Sequence, residues 1–310
     1  MGDLRKWLDG IEPADLDARF ASVDAEEIAR LIGESPDAEL RELIDDGDIR
    51  AAALTAGFGR FAEFAVPERL AEVSGVVRFV VSRATGIEES YDGTFANGTV
   101  VVEPSGDSEP DLIISTDALT FLRLLSGTAS AALLVLAGDI RVEGDEALAL
   151  QVGGVFRVPG TEGVAVDPSA LNAVDVAKVI SGAKDSHLRH VMNGGFRIVV
   201  LDEIFRRFPE YLDDRRAGKL NIAACFKIGG GSGDDDRYLV EIDKGTCTVT
   251  PDGEGKRNVT IALGGAEFLK LATGNLNPTM AFMKGSLKIK GDLSAALALS
   301  SAVRITSAKG

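Results

Sequence analysis

In the second half of the chain the apolar positions fall into two rhythms. Over 175–192 and 197–206 they recur at helical spacing, with Val176, Val179 and Ile180, then Val200, Leu201, Ile204 and Phe205, gathered on single faces. That spacing predicts two helices. The segments 220–228, 238–242, 246–250 and 258–263 are short and rich in strand formers, and glycine- and aspartate-bearing stretches at 229–236, 244–245 and 252–253 punctuate them. They predict a meander with tight turns. Further on, 266–273 places Phe268, Leu271 and Ala272 on one side of a helix that Gly274 ends, and another helix follows Pro278. A fifth strand over 285–290 alternates Leu287 and Ile289 with Ser286, Lys288 and Lys290, and Asp292 can cap a last helix over 293–302. The expected product is a sheet with one apolar face covered by helices.

The same plan is written twice. At an offset of 147 residues, 58–150 runs onto 205–297 without a gap. Phe58, Arg60, Phe61 and Glu63 fall on Phe205, Arg207, Phe208 and Glu210; Phe79 falls on Phe226 and Tyr91 on Tyr238. Gly98, Gly106, Gly127, Gly138 and Gly144 fall on Gly245, Gly253, Gly274, Gly285 and Gly291. Shared glycines mark turns and close backbone approaches, so a backbone plan has been duplicated. Each copy is expected to fold alone, as domains 1–160 and 161–310, with the junction in the breaker-rich Pro159-Gly160-Thr161-Glu162-Gly163.

Composition narrows the class. With 45% hydrophobic and 26% charged residues the 310-residue chain matches neither a disordered nor a membrane-spanning composition. Its longest suspicious apolar run, Ala131–Ala137, is far shorter than a bilayer requires. The N-terminal Met1-Gly2-Asp3-Leu4-Arg5-Lys6-Trp7 lacks the apolar core of a secretory signal, which leads us to expect a cytoplasmic protein. A net charge of −15 argues against nucleic acid as a partner. The charge is uneven: residues 1–160 hold 13 Lys+Arg against 30 Asp+Glu, and residues 161–310 hold 20 against 18. Cys225 and Cys247 lack the spacing of a metal or redox motif and are expected to be buried thiols.

The run Phe268-Leu269-Lys270-Leu271-Ala272-Thr273-Gly274-Asn275-Leu276-Asn277-Pro278, followed by Ala281-Phe282-Met283-Lys284-Gly285-Ser286-Leu287-Lys288-Ile289-Lys290-Gly291-Asp292, resembles the C-terminal signature of the sterol carrier protein 2 family. Ile204-Phe205-Arg206-Arg207-Phe208-Pro209-Glu210 is similar to that family's first helix, so the resemblance covers about 200–303. The repeat carries a weaker resemblance onto about 55–156. It implies an α/β (α+β) fold: two tandem domains, each a five-stranded, mostly antiparallel sheet with helices on one face. It further implies a tunnel that binds fatty acids, fatty acyl-CoA, sterols or phospholipids non-covalently. Met280, Phe282 and Met283 would give that tunnel an adaptable lining, since methionine repacks around varied shapes. From the sheet we expect Phe226, Ile228, Ile242, Leu287 and Ile289 to join them, and from the helices Phe268, Leu271 and Leu297.

Other features point away from covalent chemistry. His187 and His190 sit three apart on a helix, but no thiol or carboxylate motif completes a metal site, and no nucleophile with an adjacent base appears. No catalytic residue, metal or cofactor is therefore expected. The glycine- and aspartate-rich run 229–236 has neither a P-loop lysine nor an EF-hand spacing and is expected to be a hairpin loop. Lys284, Lys288 and Lys290 form a solvated sheet face or meet anionic headgroups, giving the second domain a transient membrane contact. The acidic first half could hold a protein partner. In that alternative both tunnels are filled by their own side chains and the chain is an acidic scaffold. Peroxisomal members of the family end in a Ser-Lys-Leu type address, whereas this chain ends Ser307-Ala308-Lys309-Gly310, which again suggests the cytoplasm.

Overall fold

A computed structural model describes residues 3–161, 163–231 and 233–304. Met1 and Gly2 of the N-terminal segment, Glu162 of the expected junction, Ser232 of the glycine run and the terminal 307–310 lie outside the described residues. The chain forms two compact units, Met1–Asp167 and Pro168–Gly310. They divide a few residues beyond the expected junction at 159–163; Arg157 and Val164, on either side of it, are bridged within the first unit.

In the first unit six helices lead into the sheet: α1 Asp3–Leu8, α2 Leu16–Ala21, α3 Ala25–Glu34, α4 Asp37–Asp45, α5 Gly47–Gly59 and α6 Pro67–Leu70. Four strands follow, β1 Gly75–Ser82, β2 Glu88–Ala96, β3 Thr99–Pro104 and β4 Leu112–Asp117. Then come α7 Ala118–Leu125, α8 Ala131–Ala137, β5 Arg141–Gly144 and α9 Glu146–Val155. The second unit repeats the plan. Its elements are α10 Ala173–Gly182, α11 Asp185–Val191, α12 Phe196–Arg206, α13 Asp214–Ala217, β6 Asn221–Gly229, β7 Asp236–Asp243, β8 Thr246–Pro251, β9 Val259–Gly264, α14 Gly265–Ala272, α15 Pro278–Met283, β10 Leu287–Gly291 and α16 Leu293–Ala302.

The strand orders are β3-β2-β1-β4-β5 and β10-β9-β6-β7-β8. Every neighbouring pair is antiparallel except the central β1–β4 and β6–β9, which are parallel. This corrects the expected four-stranded meander. Only β6, β7 and β8 run as one; the chain then recrosses the sheet and enters beside β6. The crossing segment lies on the face away from the aromatic cluster, directly over Leu239: a Cβ on Gly253 would stand 2.7 Å from Leu239 Cβ. Glycine is required there because the backbone rests on a core side chain.

Registers repeat at the 147-residue offset. Phe79↔Tyr91 and Phe226↔Tyr238 are equivalent pairs, as are Leu112↔Gly144 and Val259↔Gly291. Gly144 and Gly291 both take φ +104°, and a Cβ at either would fall within about 2.5 Å of a backbone carbonyl oxygen, Asp111 O or Asn258 O. One residue later, Asp145 and Asp292 accept from the first amides of α9 and α16, capping both helices. The single helix expected over 175–192 is broken. Ala183 and Lys184 are extended, and the break lets α10 and α11 each pack on α14.

Candidate functional site

In the second unit the rows that cross the sheet decide where apolar side chains gather. Residues opposite one another share a face, so Ile289, Ile261, Phe226 and Tyr238 form one continuous row, and Leu287, Leu263 and Ile228 form the next. At the β6–β7 end the row is closed by rings. Phe205 of α12 stacks on Tyr238 at 3.9 Å and on Phe268 at 5.1 Å, while Phe208 and Phe226 meet edge-on at 5.9 Å. The Tyr238 hydroxyl donates to Asp202 at 2.7 Å, and burial first, then Asp202, pushes its pKa up, so it stays protonated. Of the predicted lining, Phe226, Ile228, Ile242 and Phe268 sit in this packed region.

The other end carries exposed apolar side chains. There α15 and α16 both pack against β10. Leu287 is buried on β10, and Ile289 and Leu271 are half-buried. On the two helices Met280 is 48% exposed, Phe282 45%, Met283 74% and Leu297 63%. The expected set therefore divides into a packed aromatic core and an apolar rim, with Leu287 and Ile289 on the adjoining strand. Leu293, 47% exposed and one turn before Leu297, belongs to the rim and was missed by sequence reasoning, though its i,i+4 spacing to Leu297 was legible.

Local sequence explains the rim. Pro278 starts α15 and Asn277 accepts from the Met280 amide, a cap that fixes where the short helix begins. Ala281, at 1% exposure, is the side chain of α15 that faces inward, which turns Met280 and Met283 outward. Small residues do the same for α16: Ala295, Ala296, Leu299 and Ala302 are buried, leaving Leu293 and Leu297 on the far side.

A second group was also missed. Arg197, 6% exposed, donates to the carbonyls of Met192 (2.7 Å), Ile228 (2.6 Å) and Gly229 (3.1 Å), and pairs with Asp236. Its equivalent Arg50, 9% exposed, donates to Ile44 O at 2.6 Å and to Glu89 at 3.0 Å. These arginines tie the entering helices to the sheet and its neighbouring loops. His187 is half-buried and His190 exposed on α11. Cys225 is buried as expected, but Cys247, on edge strand β8, is only half-buried; burial pushes its thiol up to about 11. A groove of about 310 Å³ beside the crossing segment is lined by Arg237, Asp252, Gly253, Glu254, Gly255 and Arg257. It is polar and lies apart from the apolar rim.

The first unit differs at each of these places. Its equivalents of Met280, Phe282 and Met283 are Leu133, Val135 and Leu136, the first two half-buried and the last buried. Its interior carries more rings: Phe58 packs on Tyr91 at 4.5 Å and Phe121 at 5.1 Å, and Phe156 packs on Phe61 at 4.1 Å and Phe95 at 6.2 Å. The second unit has Ile242 and Val303 at the places of Phe95 and Phe156.

The two units define a class of small α/β modules with an apolar interior, and comparison with known proteins places them. A model of the SCP-2 sterol transfer family matches residues 58–157 and 201–304, so the chain belongs to that family in both halves. Sterol carrier protein 2 of Arabidopsis thaliana is 46% identical over 59 residues, which cover 19% of this chain and 48% of that protein. Sterol carrier protein 2 of Homo sapiens is 32% identical over 107 residues, 34% of this chain and 19% of that protein. The matches thus span from about a fifth to about half of these relatives. The solution structure of sterol carrier protein domain 2 of Helicoverpa armigera aligns at 25% identity and a TM-score of 0.30, covering 34% of this chain and 84% of that one. No helix among the described residues is long and apolar enough to cross a membrane.

Proposed function

We propose that the second unit binds a lipid-like molecule without bond-making, with the end formed by α15, β10 and α16 as the entrance, and that the protein carries such ligands within the cytoplasm. One observation carries this reading: large apolar side chains stand exposed on α15 and α16, the two helices that pack against β10, where Ile289 is only half-buried, so apolar surface adjoins the sheet edge. A fatty acid, fatty acyl-CoA, sterol or phospholipid would fit that chemistry. Burying an acyl chain gains roughly 0.8 kcal/mol per methylene, enough over about 16 carbons to exceed association costs of roughly 4 to 15 kcal/mol. The residues proposed to touch it are Met280, Phe282, Leu287, Ile289 and Leu297. Phe226 and Phe268 would form the closed end.

For the first unit the additional rings Phe95 and Phe156 favour the other reading, an interior filled by its own side chains and an acidic surface that serves a protein partner. Native mass spectrometry of the full chain, purified without denaturant, tests both readings; one lipid per chain is expected. In titrations with a fluorescent fatty acid, Phe282→Asp should weaken binding at least tenfold, about 1.4 kcal/mol, while the equivalent Val135→Asp should leave it unchanged. A chain that carries no lipid and takes up no fatty acid would remove the carrier reading and leave the scaffold.

A further inference from the structure

The rim is more than an entrance. In the stretch 276–303 the charged residues are Lys284, Lys288, Lys290 and Asp292, a net charge of +2 in a chain of −15. Asp292 is engaged in capping α16, where its carboxylate accepts from the amides of Ser294 and Ala295. All three lysines are exposed, and none makes an ion pair among the described residues. Lys288 and Lys290 alternate with Leu287 and Ile289 on β10, the edge strand of its sheet, and Lys284 follows α15 directly. A long lysine at a sheet edge can reach around its strand, keeping its ammonium in a polar layer while the stem lies along apolar surface. The five exposed apolar side chains Met280, Phe282, Met283, Leu293 and Leu297 flank that strand on the two helices that pack against it.

The first unit keeps one cation of this arrangement, Arg141 at the place of Lys288, while Ala137 and Glu143 replace Lys284 and Lys290. Its equivalent stretch 129–156 carries Asp139, Arg141, Glu143, Asp145 and Glu146, a net charge of −3, and Glu146 stands where the second unit has Leu293. The fold therefore does not require the basic, apolar rim.

We propose that the face formed by α15, β10 and the exposed side of α16 docks on an anionic lipid bilayer, the apolar side chains entering the headgroup boundary and Lys284, Lys288 and Lys290 meeting lipid phosphates and carboxylates. A bilayer suits both halves of the surface, since it offers an apolar layer beneath a negative one, and the charge of the face opposes that of the whole chain. The face shares Met280, Phe282 and Leu297 with the entrance proposed for the ligand, whereas the three lysines, Met283 and Leu293 belong to the outer surface alone, and only residues of this second set are substituted in the test.

The test uses the full chain, without added fatty acid, and phosphatidylcholine vesicles with and without phosphatidylserine. Cosedimentation should require phosphatidylserine and weaken as salt rises. Lys284→Gln/Lys288→Gln/Lys290→Gln should lose about a hundredfold in partitioning, at about fivefold per lysine, while still binding fatty acid, which separates failure of docking from failure of the carrier reading. Met283→Trp, at the most exposed rim position, should be quenched by brominated lipid above the background of Trp7. Equal partitioning of the triple variant and the parent would overturn the proposal. So would unchanged partitioning of Met283→Asp, which would mean plain electrostatic adsorption. Dimerisation broken by Met283→Asp, with no vesicle binding, would assign the face to a second copy of the chain and overturn it as well.

Discussion

The two units follow one backbone register yet fill it with different side chains. In both, the same row crosses the sheet: Val142, Ile114, Phe79, Tyr91 and Pro104 in the first, Ile289, Ile261, Phe226, Tyr238 and Pro251 in the second. What differs is the filling around the row. The first unit adds Phe95 and Phe156 and covers its α8 side chains, whereas the second uses aliphatic residues there and leaves its rim exposed. Duplication preserved the parts that set strand pairing and turns, because a residue change there disturbs every neighbour. Side chains at the α8/α15 end diverged, buried or half-buried in the first unit and exposed in the second.

The largest expected difference between the units concerns the buried arginines. Arg197→Met removes the donor from three carbonyls and strands Asp236, and should cost the second unit about 3 to 5 kcal/mol. Arg50→Met should cost the first unit less, because Arg50 reaches no β1 carbonyl and Glu89 also has Arg83 at 3.8 Å. Denaturation followed by hydrogen exchange in each unit measures both. Equal losses would mean that the carbonyl contacts to β6 contribute little.

Next in size is an exchange of filling. Phe95→Ile with Phe156→Val gives the first unit the second unit's side chains at those places and should cost about 2 to 4 kcal/mol through the space left behind. If rings are what keep ligand out, the doubly substituted chain should take up a second fluorescent fatty acid. A stoichiometry that stays at one would place the distinction at the rim rather than in the interior.

Much of this comparison was legible in the sequence, and the reasons for the exceptions are physical. Most strand positions and the capping Asp292 came from short-range patterns and Gly291 from the repeat, whereas Phe226 and Phe268 were expected to line a tunnel and lie in a packed ring cluster. The parallel β6–β9 pairing was not legible, because a crossing segment of 252–258 carries the same turn residues as a hairpin; only Gly253 lying on Leu239 distinguishes it. Met283 was expected to line an interior and stands 74% exposed, since helical spacing shows that side chains share a face but not which way the face looks. The repeat also reaches further back than an ungapped register can follow. Arg50 falls on Arg197 at 147, but Asp37, paired with Arg123, corresponds to Asp185, paired with Lys270, at 148. One additional residue in the first copy hides the equivalence of α3 and α4 with α10 and α11.

A smaller effect is expected on the outer face, where the units answer one structural demand differently. Arg78 and Asp92 lie opposite one another on β1 and β2, form an ion pair at 2.7 Å, and hold the crossing segment through the Gly106 and Ser108 carbonyls. The second unit places Cys225 and Leu239 there, with its crossing segment packed on Leu239. Asp92→Leu alone leaves the Arg78 guanidinium, its side chain 21% exposed, without its partner and should lower the first unit's stability. Adding Arg78→Cys should recover most of the loss, because an apolar pair already serves that position in the other copy. A double variant no more stable than the single one would show that the segment depends on Arg78 itself.

The smallest expected effect is a pH dependence confined to one crossing segment. The Arg78 guanidinium, through its hydrogen bonds, holds the Asp92 carboxyl below the ordinary carboxylate range, and the Gly106 amide adds to this. A carboxyl depressed in the folded state contributes stability that is present above its unfolded pKa, about 3.9, and is lost as pH falls through the lower folded value. Protonation would loosen the hold of Arg78 on residues 106–108. Hydrogen-exchange protection in the first unit's 105–111, corrected for the intrinsic rate, should therefore fall a few-fold more on acidification below about pH 4 than protection in the second unit's 252–258. Asp92→Asn should remove that difference by leaving the first segment loosened at every pH. Parallel loss of protection in both segments of the parent would place acid sensitivity in a feature the two units share, and the ion pair would then be only one of two equivalent ways to fill the outer face.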